Sequence, residues 1–147
     1  MDIRYAKILV PVDGSQNSFA ALTHAVQLAK LFQAEIGILH VAIIMQQLPI
    51  ATQFNDVYLP ESVLTHVQDF SETVLKEARK QIPTDIPVQT FCEIGSPAII
   101  IPEFAEQNGY DLIVIGSRGL GVIKGLFMGS VSNYVVNHAK CPVLVIK

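Results

Sequence analysis

The stretch DLIVIGSRGLGVIKGLFMGS, residues 111–130, joins a strongly apolar run to a glycine-rich segment. The run DLIVIG is apolar without alternation, which is typical of a parallel strand that helices cover on both faces. Glycines then follow at positions 116, 119, 121, 125 and 129. Because glycine loses more conformational freedom on folding than other residues, such a cluster between two ordered segments indicates a backbone geometry that the fold or a ligand requires.

Similar short runs recur along the chain, and the segments between them have helical periodicity. The runs predict strands at residues 7–13, 34–42, 87–95, 111–117 and 141–147. Strands that alternate with helices favour a parallel sheet, and right-handed crossovers place helices on both of its faces. We therefore predict an α/β fold, a Rossmann-like sandwich, and assign all 147 residues to one domain, residues 1–147.

The predicted helices have recognisable starts and apolar faces. Ser15 or Asn17 is suited to cap the first helix, Ser96 to cap the third, and the last is expected to run from Gly129 or Ser130 to His138. The apolar stripe predicted for the second helix consists of Val63, Val67, Phe70, Val74, Ala78 and Ile82.

Composition and charge limit the classes of partner. Half of the residues are hydrophobic (50%), 16% are charged, and the formal net charge is -3 without any basic run, which argues against nucleic acid and against a membrane surface. The amino terminus lacks a secretory signal, and no apolar run reaches membrane-spanning length. We expect a soluble, cytoplasmic protein in which Cys92 and Cys141 are small buried hydrophobic residues.

Ligands of such folds bind beyond the carboxyl ends of the strands, where the strand order reverses. Residues 12–15, residues 40–42 and the glycine-rich segment are expected there. The free N–H groups of the last helix, with the hydroxyls of Ser130 and Ser132, would suit a phosphate. The alternative is that the glycines only turn the chain. The segment is neither a Walker A loop nor a G-x-G-x-x-G dinucleotide motif.

Single polar residues allow more than one interpretation. Asp13, in the sequence Asp-Gly-Ser, either forms a turn and helix cap or binds a ribose hydroxyl or a divalent metal next to phosphates. Lys124 either reaches a terminal phosphate or is simply solvated. The four histidines lack metal-ligand spacing and have no nucleophile beside them, so most are expected at the surface or the edge of the core. No dedicated catalytic residue is predicted.

The spacing of Gly116, Gly119 and Gly129-Ser130 resembles the G-2x-G-9x-G-(S/T) signature of the ATP-binding branch of the universal stress protein family. Further blocks along the whole chain are similar to their counterparts in that family: KILVPVDGS, EIGSPAIII, DLIVIGSRG, GSVSNYVV and CPVLVIK. The resemblance implies a five-stranded parallel sheet in the order 3-2-1-4-5. Residues 43–60 do not align with the family pattern.

The resemblance also implies a nucleotide site. Adenine and ribose would contact residues 11–13, and the backbone of Val41 would bind adenine. The site residues between positions 116 and 132 would line ribose and phosphates. Mg²⁺ or Mn²⁺ would bridge the phosphates, and a homodimer would form through the last strand, Val143 to Lys147. Asp13 would be a protein ligand of this metal under the second of its two interpretations above. The site residues are Pro11, Val12, Asp13, Val41, Gly116, Arg118, Gly119, Gly129, Ser130, Val131 and Ser132.

Three functional hypotheses follow from these observations. The first is a regulatory module of the stress response that binds ATP and changes its partners with nucleotide state. The second is a slow Mg²⁺- or Mn²⁺-dependent ATPase, or a self-phosphorylating protein, because a positioned metal alone can assist phosphoryl transfer. The third keeps the site but changes the ligand to AMP or a cyclic nucleotide.

Overall fold

The computed structural model describes residues 2–43, 61–120 and 128–147, and the backbone alone at Val63. Its strands are β1 (Lys7–Pro11), β2 (Glu35–Ala42), β3 (Val88–Ile94), β4 (Leu112–Gly116) and β5 (Val143–Ile146). Its helices are α1 (Gln16–Phe32), α2 (Glu61–Lys80), α3 (Pro97–Gln107) and α4 (Ser130–His138). Every predicted strand is present, and its ends differ from the prediction by no more than two residues.

The strands form one parallel sheet in the order β3-β2-β1-β4-β5, which confirms the predicted fold. β1 lies in the centre of the sheet, and β3 and β5 are its edges. From β1 the chain moves outward through β2 to β3, then crosses to β4 on the other side. The strand order therefore reverses between β1 and β4, and this is where a ligand site is expected.

The central strands are buried on both faces because alternate residues enter two separate hydrophobic layers. Ile8 and Val10 of β1 pack with α1 and α2, whereas Leu9 between them packs with α3 and α4. In β4, Leu112 and Val114 lie in the first layer, and Ile113 and Ile115 in the second. This explains why these strands are apolar without alternation, as the sequence indicated.

The helix starts and ends follow the sequence signals closely. The Ser15 hydroxyl accepts a hydrogen bond of 3.2 Å from Ser18 N, so Ser15 rather than Asn17 caps α1. Ser96 occupies the N-cap position of α3, but its side chain makes no capping hydrogen bond. In the described parts of the chain, no helix has the length and apolar character that crossing a membrane requires.

Two burial predictions are wrong. Phe70 was expected on the inner face of α2, but it is 47% exposed, because the buried face is formed by Ser71, Val74 and Ala78. Ile82 is buried, but it lies beyond the end of α2. Cys92 was expected to be buried, but it is exposed because β3 is an edge strand whose surface is largely solvated.

Cys141 is half-buried before β5, and this burial raises the pKa of its thiol. A raised pKa lowers the fraction of the reactive thiolate at neutral pH. Cys141 is therefore less buried than the sequence predicted, although its surroundings keep the thiol mainly protonated.

A close contact between Tyr110 and Gly37 joins β2 to the turn after α3. The Tyr110 ring lies where a side chain at position 37 would be: a Cβ built there would meet ring carbons Cζ and Cε1 at 2.5 and 2.7 Å. The Lys7 Nζ lies 4.8 Å from the centroid of the same ring. Burial raises the pKa of Tyr110 to about 12, with a smaller contribution from the charge of Glu35. Gly37 is therefore required by packing.

We expect Gly37→Ala to lower the free energy of unfolding by about 1–3 kcal/mol, because the new methyl group overlaps the Tyr110 ring. Urea denaturation of the single variant measures this loss. The matched control makes the same change in a Tyr110→Leu background, where the flexible side chain leaves room and the additional loss should be much smaller. Equal losses in both backgrounds would contradict this explanation.

Candidate functional site

A cleft opens at the carboxyl ends of β1 and β4, where the strand order reverses. It has a volume of about 710 Å³, which is in the range of small-molecule sites. The start of α1 forms one wall, and the segment after β4 forms the other. The residues that line it are Gly14, Ser15, Gln16, Asn17, Ser117, Arg118, Gly119, Leu120 and Lys147.

Asp13 connects the two loops beside this cleft. Its Oδ1 accepts a hydrogen bond of 2.9 Å from Ser15 N, and its Oδ2 accepts one of 3.2 Å from Leu120 N. The first bond is the turn predicted from Asp-Gly-Ser. The second ties the loop after β1 to the glycine-rich segment, a contact that the sequence did not predict. Each carboxylate oxygen keeps a further lone pair, so a ribose hydroxyl or a metal ion can still bind.

Gly119 is required by the position of Asp13. A Cβ at residue 119 would lie 2.5 Å from Asp13 Oδ2. A side chain there would have to displace the carboxylate and would disturb its bond to Leu120 N. The glycine therefore allows the backbone to approach Asp13 closely.

Gly116 has a different reason to be glycine. A Cβ at this position would lie 2.8 Å from the backbone C and O atoms of Asn17, in the first turn of α1. The residue thus lets α1 pack directly on the end of β4. This packing accounts for Gly116 without a ligand, and its predicted contact with nucleotide stays a prediction.

The start of α4 lies against the end of β4. Gly129 N donates a hydrogen bond of 2.6 Å to Ser117 O, and the hydroxyl of Ser132 donates one of 2.8 Å to the same oxygen. Ser132 is buried, and this bond gives its hydroxyl a backbone role rather than a free donor. Among the described residues no side chain caps α4, so the N–H groups of its first turn, including those of exposed Ser130 and half-buried Val131, have no side-chain capping partner there.

Two positively charged residues, Arg118 and Lys147, line the cleft, and both are exposed. The sequence predicted Arg118 as a site residue, but it placed Lys147 only in the dimer strand. Lys147 reaches the cleft because it follows β5, whose carboxyl end lies next to that of β4. The parallel order of neighbouring strands was the available signal. These cations favour an anionic ligand.

The remaining predicted residues lie at the carboxyl ends of β1 and β2. Pro11 and Val12 are buried, and the side chain of Val41 packs in the layer of α3 and α4. Only the backbone of Val41 is therefore suited to contact a ligand. Gly121, Lys124 and Gly125 lie outside the described residues, as do residues 44–60.

The sheet order and the cleft at its point of reversal define a doubly wound α/β protein with a ligand site of the usual placement. A model of the universal stress protein family matches residues 4–147. The chain belongs to the universal stress protein family.

Individual relatives extend over nearly the whole chain. The universal stress protein YxiE of Bacillus subtilis (strain 168) is 35% identical over 150 residues, which cover 97% of this chain and 99% of that protein. The structure of the universal stress protein UspA from Lactobacillus plantarum has 30% identity and a TM-score of 0.76, covering 99% of this chain and 100% of its own. A universal stress protein in complex with cAMP has 25% identity and a TM-score of 0.71, covering 98% of each chain.

We expect alanine at position 116 to destabilise the free protein and serine at position 129 to leave it nearly unchanged. Gly116→Ala forces α1 away from β4 and should cost about 1–3 kcal/mol. A Cβ at residue 129 has its nearest contact at 3.4 Å, from Ser117 O, and serine is a favourable N-cap residue. Thermal and urea unfolding without ligand measure both variants. Equal stability losses would show that the packing of α1 does not require Gly116.

Proposed function

We propose that this chain binds an adenine nucleotide, with ATP as the first candidate, in the cleft between the loop after β1 and the segment after β4. The observation that carries the proposal is the Asp13 carboxylate, which joins these two loops beside a cleft lined by Arg118 and Lys147. An acceptor for ribose hydroxyls therefore lies beside the cleft, and two cations that could bind phosphates line it. Its volume also suits a ligand of nucleotide size.

Backbone donors support the phosphate end of the site. No side chain in the described ranges caps the N–H groups of the first turn of α4, and the partial positive charge of a helix start favours an anion. Gly129 leaves the approach to these groups free of a side chain. In this arrangement Gly129, Ser130, Val131 and Ser132 contribute backbone groups, and Arg118 contributes charge.

Asp13 is the candidate protein ligand for Mg²⁺ or Mn²⁺ in this proposal. Its oxygen atoms are of the type that these hard cations prefer, and its two hydrogen bonds fix the carboxylate while leaving lone pairs for a metal. Within the described parts of the chain, no group of three metal-binding side chains occurs. The phosphates of the nucleotide would therefore supply most of the other metal ligands. The metal would neutralise phosphate charge.

We further propose that the protein is a cytoplasmic regulatory module of the stress response, in which nucleotide binding changes partner choice. The site as described explains binding without a chemical step. A cyclic nucleotide or AMP is the alternative ligand, and the related protein solved in complex with cAMP favours testing it. The two ligand classes differ in phosphate charge, which Arg118 and Lys147 should distinguish.

Calorimetric titration should show saturable binding of ATP in the presence of Mg²⁺ and a loss of at least about tenfold in affinity, or about 1.4 kcal/mol, in Gly119→Val. The physical reason is the overlap of the new side chain with the Asp13 carboxylate. Gly125→Ala, outside the signature, is the matched control and should bind normally. Parallel titrations with AMP and cAMP rank the ligands, and failure of the native protein to bind any of them would contradict the proposal.

We also propose a homodimer through β5, because its outer edge is open and apolar. Pro142 and Ile146 accept hydrogen bonds from β4, so the backbone groups of Val143 and Val145 point, by alternation, to the open edge. Leu144 adds an apolar surface that is 38% exposed. An open edge strand of this kind is suited to pair with a second copy.

Val145→Pro should convert the dimer to a monomer, because proline removes an outward N–H donor without removing a hydrogen bond to β4. Val145→Ala loses the same side-chain packing but keeps the N–H group, so this control should remain dimeric. Sedimentation velocity over a range of protein concentrations measures both variants, and circular dichroism checks their fold. A monomeric native protein, or the same state in both variants, would count against the β5 interface.

A further inference from the structure

His40 belongs to the segment that the sequence predicts at the crevice, residues 40–42, but no role was assigned to its buried side chain. It is 3% exposed, and its Nδ1 lies 2.8 Å from the carbonyl oxygen of Val12. Since a carbonyl oxygen only accepts, Nδ1 carries the proton and donates it. The other ring nitrogen, Nε2, is buried without a hydrogen-bond partner in the described structure. The bond to Val12 is therefore the polar contact that orients the ring.

The hydrogen bond between Val12 O and the His40 ring interrupts the ladder of backbone hydrogen bonds between β1 and β2. On the β1 side of β2, Glu35 N donates to Ala6 O and Leu39 O accepts from Val12 N. On the β3 side, Ile36 N donates to Pro87 O and Ala42 O accepts from Gly95 N. Because backbone groups alternate along a strand, Val41 faces the β1 side. Its next ladder partner would be Val12 O.

That next ladder bond is absent, although Val12 and Val41 both lie in the described ranges. Val12 N still donates to Leu39 O at 2.8 Å, but Val12 O accepts from the His40 ring instead of from Val41 N. The last ladder bond on this side of β2 is therefore made by Leu39, two residues before Val41. The peptide groups of Val41 are left directed toward the crevice at the centre of the sheet.

We propose that His40 is a positioning residue for the adenine subsite, which holds the Val12 carbonyl out of the ladder and so keeps the Val41 peptide groups free to bind the base. This inference rests on the proposed nucleotide function. His40 acts through the backbone and contacts the protein alone. The ring of Phe70, a residue of α2, lies 5.9 Å from the imidazole between centroids in an edge-to-face arrangement. This contact limits the orientations of the imidazole.

The first test needs no nucleotide. NMR of the free native protein should show the Nδ1–H tautomer of His40, a coupling across its hydrogen bond to Val12, and none between Val41 N–H and Val12 O. In His40→Leu the carbonyl is released, and a Val41–Val12 coupling should appear as the ladder extends. A Val41–Val12 coupling in the native protein would overturn the proposal, and this measurement does not depend on whether the variant folds.

The second test measures base recognition. Relative to the native protein, His40→Leu should bind ATP roughly three- to tenfold more weakly, about the contribution of one hydrogen bond, and should lose most of its preference for ATP over GTP. His40→Asn places an amide N–H near the position of Nδ1 and should restore both properties. A purely structural role would weaken both nucleotides equally. Unchanged selectivity in a folded His40→Leu, or no rescue by asparagine, would overturn the proposal.

The two tests separate this inference from the nucleotide function itself. If the native chain binds no adenine nucleotide, the proposed function fails and the adenine part of the inference fails with it. The NMR couplings then still decide whether His40 holds the ends of β1 and β2 apart. If ATP binds normally and only the His40 variants behave contrary to expectation, the nucleotide function stands and the positioning role is rejected.

Discussion

Burial of β1 and β4 on both faces is the constraint on which the rest of the structure depends. These neighbouring central strands bring Leu9, Ile113 and Ile115 into one layer and Ile8 and Val10 into the other, so helices must cover the sheet on each side. Chain connections then leave β1 and β4 in opposite directions. In residues 2–43, 61–120 and 128–147, no crossover covers the gap between their carboxyl ends, and the cleft forms there as a consequence of topology.

The cleft has a defined shape because polar contacts fix its two walls. Asp13 ties the loop after β1 to Leu120, and Ser117 O accepts hydrogen bonds from Gly129 N and the Ser132 hydroxyl. The glycine-rich segment is thus held at both of its described ends, at residues 117–120 and 129. Backbone groups at these two ends are therefore held in a set arrangement, which lowers the entropy cost of ordering them around a ligand.

Apolar periodicity predicted the helices and strands, and the family resemblance predicted the order of the strands in the sheet. The environments of side chains on α2 and on the edge strand β3 were less predictable. Phe70 and Ser71 are adjacent in α2, and only the rotation of the helix on β2 decides that the serine is buried. Cys92 is exposed because β3 is an edge, a property of strand order rather than of local sequence. The hydrogen bond of the His40 side chain and the place of Lys147 in the cleft were missed for a related reason: each depends on a segment that is distant in sequence.

The signature glycines illustrate how one sequence pattern combines independent physical requirements. Gly116 leaves space for the first turn of α1, and Gly119 leaves space for the Asp13 carboxylate. At Gly129, before α4, an added Cβ would have its nearest contact at 3.4 Å, so a side chain fits there. The first requirement belongs to the fold, and the second to the connection between the loops. Among these three glycines, only Gly129 has no steric reason to be glycine within the described residues, since its nearest contact there is ordinary in length. Under the proposed function, the absence of a side chain at position 129 leaves the start of α4 open to an anion.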